Sequence, residues 1–247
     1  MNSEQRTGRS ADRSGPVVRG ARERARGEIT AAIKDEARRQ LAADGAAKLS
    51  LRAVARELGM VSSALYRYFP SRDDLLTALI VDAYDSVGAA AETAARTGGD
   101  PLTRWVAVCA AVRAWALEHP HEYALIYGSP VPGYAAPQTT VAPASRVGLV
   151  LVGIAREARR GPGTAPPGLP GRLRPEAERM AADLAPELPP ELVAALVAAW
   201  AQLFGLISFE VFGQFHRVVE DRDAFFAHAA ARLGREAGIA PSAADRD

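Results

Sequence analysis

The chain has 247 residues, 48% of them apolar and 24% charged, which is globular in character and long enough for one large domain or two modest ones. Its single cysteine, Cys109, excludes an internal disulfide framework and fits a reducing, cytoplasmic setting. The formal net charge of +1 conceals an asymmetry: residues 1–80 carry 15 Lys and Arg against 10 Asp and Glu, whereas residues 81–247 carry 15 against 19. That imbalance suggests that only the first part meets a polyanion, the alternative being unevenly solvated faces.

Residues 1–21 are rich in Arg, Ser and Gly with few apolar side chains, and read as a disordered basic arm. They contain no apolar h-region, so a secretory signal peptide is not expected. From about Arg22 the pattern turns helical, with Ile29, Ile33, Ala37 and Leu41 four apart until Asp44-Gly45. Ser50 is a good N-cap for a second helix carrying Leu51, Val54, Ala55 and Leu58 up to Gly59. Ala64, Leu65, Tyr68 and Phe69 make a short third helix that Pro70 ends. Ser71 and Asp74 resemble a capping box for a fourth, connecting helix over residues 71–96.

After Gly98-Gly99, Asp100-Pro101 restarts the chain as N-cap and N1 of a helix to Pro120. A short helix, HEYALIY, follows, then the loop GSPVPGYAAPQ and the helix ASRVGLVLVGIAREARR. GPGTAPPGLPGRLRP reads as a mobile linker. Pro190 opens a long apolar helix to about Phe215, and DRDAFFAHAAARLGREAG makes the last. The expected fold is all-α: a helix-turn-helix domain over 22–70, the connecting helix, a larger helical domain over 100–238, and a tail over 239–247. From Leu192 to Phe209 no charge interrupts the apolar run, about the minimum length for a membrane span. Its alanine content, Gln202, and flanking Glu191 and Glu210 favour a helix buried on two sides in a helical assembly instead, with no membrane.

The segment LRAVARELGMVSSALYRYF has the mechanics of a helix-turn-helix, in which one helix braces a second that enters the major groove. Leu65 and Phe69, four apart, anchor the short helix, leaving Ser62, Ser63, Tyr66 and Arg67 to face outward. Hydroxyls bond phosphates or base edges, and arginine reaches a phosphate or a guanine edge. Tyr68 is shared between core and groove. Arg52 and Arg72 sit at helix N-termini, where amides and the dipole already favour phosphate. An ordinary helical corner with solvated arginines is the bland alternative.

From about Ile29 to Val81 the chain resembles the N-terminal domain of the TetR family of transcriptional regulators, through LSLRAVARELG, LYRYF and PSRDDLL. The resemblance implies DNA contacts from Ser50, Arg52, Ser62, Ser63, Tyr66, Tyr68 and Arg72. Val61 stands where the family often has the serine that caps the recognition helix, so that cap is lost or passes to Ser62. Arg72 replaces a frequent lysine and keeps the charge. WALEHPHEYALIYG and WAQLFGLISFE resemble a subgroup of family C-terminal domains named for a Trp-His-Gly motif, with Trp200 and Gly205 matching and Phe204 at the histidine position.

The resemblance further implies a small-molecule pocket among the central helices, for which Tyr84, Trp105, Cys109, Trp115, Tyr123, Tyr127 and Phe204 are the candidate lining; the alternative is ordinary core. It also implies a homodimer through a bundle of the last two helices, with Leu196, Trp200, Leu203, Ile207, Val211, Phe225 and Phe226 as candidate interface. His119 and His121 lack the Cys, Asp or Glu companions of a metal site. GPGTAPPG lacks the ending of a phosphate loop, and Gly128-Ser129 is no nucleophile elbow. The expected function is therefore a non-enzymatic, DNA-binding regulator without cofactor, a homodimeric repressor released from a palindromic operator by a partly apolar effector. An activator of the same fold, an interaction scaffold without specific DNA binding, and a membrane-anchored helical protein are the alternatives.

Overall fold

The computed structural model describes residues 15–159 and 168–239, which are helical with no strand among them. The chain forms two compact units that divide between Leu75 and Leu76.

The first unit holds α1 (Gly15–Asp44), a 3-10 turn at Ala46–Lys48, α2 (Leu51–Glu57), α3 (Ser62–Leu65) and the first turn of α4 (Arg72–Ala95). Ile33, Ala37 and Leu41 of α1, Leu51, Val54 and Ala55 of α2, and Leu65, Phe69 and Leu75 form its core. Burying each larger aliphatic side chain contributes about 2 kcal/mol. Two glycines make the corners. Gly45 (φ 77°) ends α1 and Gly59 (φ 64°) ends α2, in left-handed conformations that a side chain resists. After Gly59, the Met60 amide returns to the Ala55 carbonyl at 2.8 Å.

The N-terminal boundary corrects the sequence expectation. α1 begins at Gly15, so residues 15–21 are helical and not part of an arm; residues 1–14 lie outside the described residues. Pro16 lies in the first turn of the helix, where its missing amide hydrogen costs nothing, and composition averaged over residues 1–21 hides a helix that begins within them. Ile29 is exposed, so the buried face of α1 starts at Ile33.

The second unit contains the remainder of α4, α5 (Pro101–Glu118), α6 (Pro120–Tyr127), α7 (Val141–Ala158), α8 (Arg174–Leu184), α9 (Pro190–Val211) and α10 (Arg222–Glu236). α5 is its axis: Trp105, Val108, Cys109, Val112 and Ala116 are fully buried against α7, α9 and α10. Its start is well capped, because the Asp100 carboxylate accepts from the amides of Leu102 (2.9 Å) and Thr103 (3.4 Å) ahead of Pro101. α8, packed along α9, falls where the sequence suggested a linker and then no defined element. Only Ala177 and Ala181 of α8 are buried, too weak an apolar signal to read as a helix. The linker residues 160–167 and the tail from residue 240 lie outside the described residues.

Candidate nucleic-acid interface and ligand region

The recognition segment is short and firmly pinned. Leu65 is fully buried and Phe69 nearly so, while Ser62, Ser63, Tyr66 and Arg67 are exposed and Tyr68 is half-buried. After Leu65 the turn continues through backbone bonds from Arg67 to Ala64 (3.2 Å), Tyr68 to Leu65 (2.8 Å) and Phe69 to Leu65 (3.1 Å). The outward groups thus ride on a rigid corner. Val61 is the N-cap, with no side-chain acceptor for the free amides and 70% of its surface exposed.

Around this corner the cations differ in what they already hold. Arg52 is exposed on the first turn of α2. Ser50 caps that helix, its Oγ accepting from the Ala53 amide at 3.4 Å, and its own amide donates to Gln40 Oε1 at 3.4 Å. Arg72, at the start of α4, already holds acceptors within the protein. Its Nη2 donates to the carbonyls of Ala46 (2.8 Å) and Ala47 (3.3 Å), clasping the 3-10 turn to α4, and Nη1 lies 3.5 Å from Asp73. Its guanidinium holds protein acceptors before any phosphate. From α1 the Arg26 guanidinium lies 5.2 Å from the Tyr68 ring centroid and its Nη2 donates to the Arg67 carbonyl at 3.4 Å. Arg22, Arg24 and Arg26 are all exposed on α1.

In the second unit, the residues expected to line a pocket fall into two groups. Tyr84, Tyr123, Tyr127 and Phe204 come together: Tyr127 lies 4.1 Å from Phe204, 5.2 Å from Tyr123 and, edge-on, 6.0 Å from Tyr84 between ring centroids. Burial holds the phenols of Tyr84, Tyr123 and Tyr127 above their usual range, so all three stay neutral. The α5 residues are core. Trp105 Nε1 donates to the Ala230 carbonyl (3.0 Å), Trp115 Nε1 donates to Ser86 Oγ (2.9 Å), and Cys109 is fully buried with its thiol pushed up to about 12 by burial. None of the seven lines the cavity of about 280 Å³ that opens between α7 and α9, whose walls include Gly148, Leu149, Val152, Val193, Val197 and Trp200. Aromatic residues at helical spacing serve a core as readily as a pocket.

The interface candidates divide by their exposure in the lone chain. Leu196, Leu203, Ile207 and Phe226 are buried within their own chain, and Val211 is half-buried. Trp200 and Phe225 are exposed, but Trp200 borders the cavity. The outward side of α9 is instead a stripe of Ala198, Ala201, Gly205, Phe209 and Phe212, and the rings of Phe209, Phe215 and Phe225 follow one another at 5.8 and 5.6 Å. Leu196, Leu203 and Ile207 turn inward while Ala198, Ala201, Phe209 and Phe212 turn outward, so apolar character alone could not separate the faces. α9 and the Gln138–Ala158 segment are both long and apolar enough to cross a membrane.

Two ion clusters escaped the sequence reading because their members are far apart in the chain. Arg113 of α5 grips buried Glu210 of α9 through two bonds of 2.7 Å and reaches Asp223 of α10 at 2.7 Å. Glu210 first, and Asp223 with it, hold the guanidinium above its usual range. Arg146 of α7 bonds both carboxylate oxygens of Glu92 (2.8 Å each) and Asp85 Oδ1 (2.8 Å) on α4.

Residues 33–79 match the family model described as bacterial regulatory proteins, tetR family, and residues 105–233 match the tetracyclin repressor-like C-terminal domain. The HTH-type transcriptional regulator Rv1816 of Mycobacterium tuberculosis is 42% identical over 208 residues, covering 79% of this chain and 86% of that protein. The crystal structure of SCO4313, assigned as a regulatory protein, superposes with a TM-score of 0.73 at 35% identity, over 85% of this chain and 97% of that one. PfmR, a TetR family transcriptional regulator from Thermus thermophilus, shares the fold with a TM-score of 0.54 at 20% identity, over 81% of this chain and 95% of its own. With a helix-turn-helix that presents hydroxyls and arginine from a pinned corner, followed by a helical second unit, this chain belongs to the TetR family of DNA-binding transcriptional regulators, a class without enzymatic activity.

Proposed function

We propose that the protein is a cytoplasmic homodimeric repressor, free of the membrane, that leaves a palindromic operator when a small, partly apolar ligand binds. The observation that carries this reading is the exposed set Ser62, Ser63, Tyr66 and Arg67, held on a corner whose anchors Leu65 and Phe69 are buried. Arg67 suits a guanine edge or a phosphate, and the serine and tyrosine hydroxyls suit either. Exposed Val61 adds an apolar surface of the kind that meets a thymine methyl. Arg52, Arg22 and Arg24 supply phosphate contacts, with Arg26 bracing Tyr68.

The small-residue stripe of α9 supports a close subunit contact, which would set two recognition segments about 34–36 Å apart on one face of the duplex. A ligand that prefers a different spacing then weakens operator binding by typically 1–3 kcal/mol. Anisotropy of the labelled duplex from upstream of the protein's own gene, run beside a scrambled duplex across a salt series, tests the reading. Selective binding near physiological salt is expected, with a loss of at least tenfold for Tyr66→Ala. Equal, steeply salt-sensitive binding to both duplexes would reduce the interface to a basic surface.

A further inference from the structure

α3 spans only Ser62–Leu65, and its two ends are held differently. At its start Val61 offers no side-chain acceptor to the free amides. At its end Tyr66, Arg67 and Tyr68 leave the helix as a turn whose anchors, Leu65 and Phe69, are buried beneath it. A helix this short has no stability of its own. The direction of those three side chains therefore depends on what the rest of the unit supplies.

α1 supplies a hold on that turn through Arg26. Its guanidinium lies 5.2 Å from the Tyr68 ring centroid, and its Nη2 donates to the Arg67 carbonyl at 3.4 Å. One planar group thus meets a ring and a main-chain acceptor on adjacent residues, a pairing that a guanidinium makes and an ammonium, a point charge, does not. The position on α1 explains the reach. Ile33 and Ala37, seven and eleven residues on, are close to two and three whole turns away, so they share a face with Arg26. That face buries Ile33 and Ala37 in the core and continues outward to a cation at the recognition segment. The main chain at Arg26 is itself secured, its carbonyl accepting from Thr30 Oγ1 at 2.8 Å. Arg24, two residues earlier, lies about 200° around the helix and is exposed on another side.

We propose that Arg26 is a positioning residue for sequence discrimination: it fixes the plane of the Tyr68 ring and the main chain at Arg67, so that the Tyr68 hydroxyl and the Arg67 guanidinium meet the duplex in one arrangement. This rests on the recognition corner facing DNA, as read above. Phosphate contacts add affinity for any duplex, whereas base contacts discriminate and depend on donor direction. Arg26, already engaged with protein groups, serves discrimination, and Arg24 serves affinity.

Arg26→Met, Arg26→Lys and Arg24→Met in the full chain supply the test, each measured by anisotropy against the operator and a scrambled duplex across a salt series. Arg26→Met should lower operator affinity about fivefold, the scale of an exposed cation–π contact, and scrambled-duplex affinity by less than about twofold, with the salt slope unchanged. Arg24→Met should weaken both duplexes alike and flatten the slope by about one unit. Arg26→Lys should restore only part of the discrimination. In a Tyr68→Leu background most of the Arg26→Met loss should disappear. Equal losses on both duplexes with a flatter slope, or full rescue by lysine, would make Arg26 a phosphate contact and overturn the proposal. Losses that simply add in the double variant would overturn it as well. Fluorine NMR of the DNA-free chain carrying 3-fluorotyrosine checks the tie directly. The Tyr68 signal, identified by its absence in Tyr68→Phe, should shift in Arg26→Met while those of Tyr84, Tyr123, Tyr127 and Tyr134 in the second unit stay. An unmoved Tyr68 signal would overturn the hold on the ring. If neither the duplex upstream of the protein's own gene nor any enriched from a random pool binds selectively, the DNA-facing reading and the role in discrimination fall together. A shifted Tyr68 signal would then place the failure in the target and not in the Arg26 tie.

Discussion

Val61 shows a single position serving two demands that conflict. As N-cap of α3 it leaves amides unsatisfied that a hydroxyl would satisfy, yet its isopropyl group is among the most exposed apolar surfaces near the recognition segment. Val61→Thr should therefore raise unfolding free energy by about 1 kcal/mol, the usual worth of a restored cap. If the isopropyl group meets the duplex, operator discrimination should fall in the same variant; chemical denaturation and anisotropy measure the two separately. Cys109 gives a pH signature. Its thiol is pushed up to about 12 in the folded chain, against an ordinary value near 8.5. The folded state holds that proton more tightly, so the contribution is whole below about pH 8.5 and is lost as pH rises toward 12, by up to about 1.4 kcal/mol per pH unit. The gap in melting temperature between wild type and Cys109→Ala should narrow between pH 8 and 10. Thiol reagents at neutral pH should modify Cys109 only after unfolding.

Among the elements, α5, α9 and α10 share one ionic junction, in which Glu210 is buried and Asp223 is exposed. Removing one member of a buried pair strands the other, which typically costs 3–5 kcal/mol, whereas replacing both by apolar groups is often near neutral. Glu210→Leu should thus destabilise by about 3 kcal/mol, and Arg113→Met combined with Glu210→Leu should recover most of the loss, as read by urea denaturation. That junction also marks what the sequence could and could not convey. The recognition corner was legible because its signals are local: Ser50, Gly59, the spacing of Leu65 and Phe69, and the Ser71–Asp74 box, in which Ser71 Oγ donates to Asp74 at 2.7 Å. Arg113 with Glu210, and Arg146 with Asp85 and Glu92, were not legible, because their partners are brought together only by packing. α8 was missed since its buried residues are alanines, and the first turns of α1 since composition averaged over residues 1–21 hides a helix that begins within them. On α9 the charge-free run was evident, but the direction of each side chain depends on which neighbours cover it.

For the whole molecule, the proposed homodimer would rest on the outward stripe of α9. Small side chains at Ala198, Ala201 and Gly205 permit close approach of a second helix, and the Phe209, Phe215 and Phe225 rings add apolar area at its end. Ala201→Glu should leave the subunit folded, since the position is exposed, but shift sedimentation from dimer to monomer at micromolar concentration; an unchanged dimer would locate the contact elsewhere. In that homodimer α9 would have one side in its own core, one at the cavity and one toward a second subunit. Surface accessibility in the lone chain would be a poor guide to which substitutions such a helix tolerates. A library of single substitutions should find exposed Ala198, Ala201 and Gly205 as hostile to Glu or Lys as buried Leu203, while equally exposed Ala21 and Arg24 of α1 accept most replacements. Drift in this protein should accumulate around Ala21 and Arg24 of its first helix and bypass the outward stripe of the ninth, although both face water when the chain stands alone.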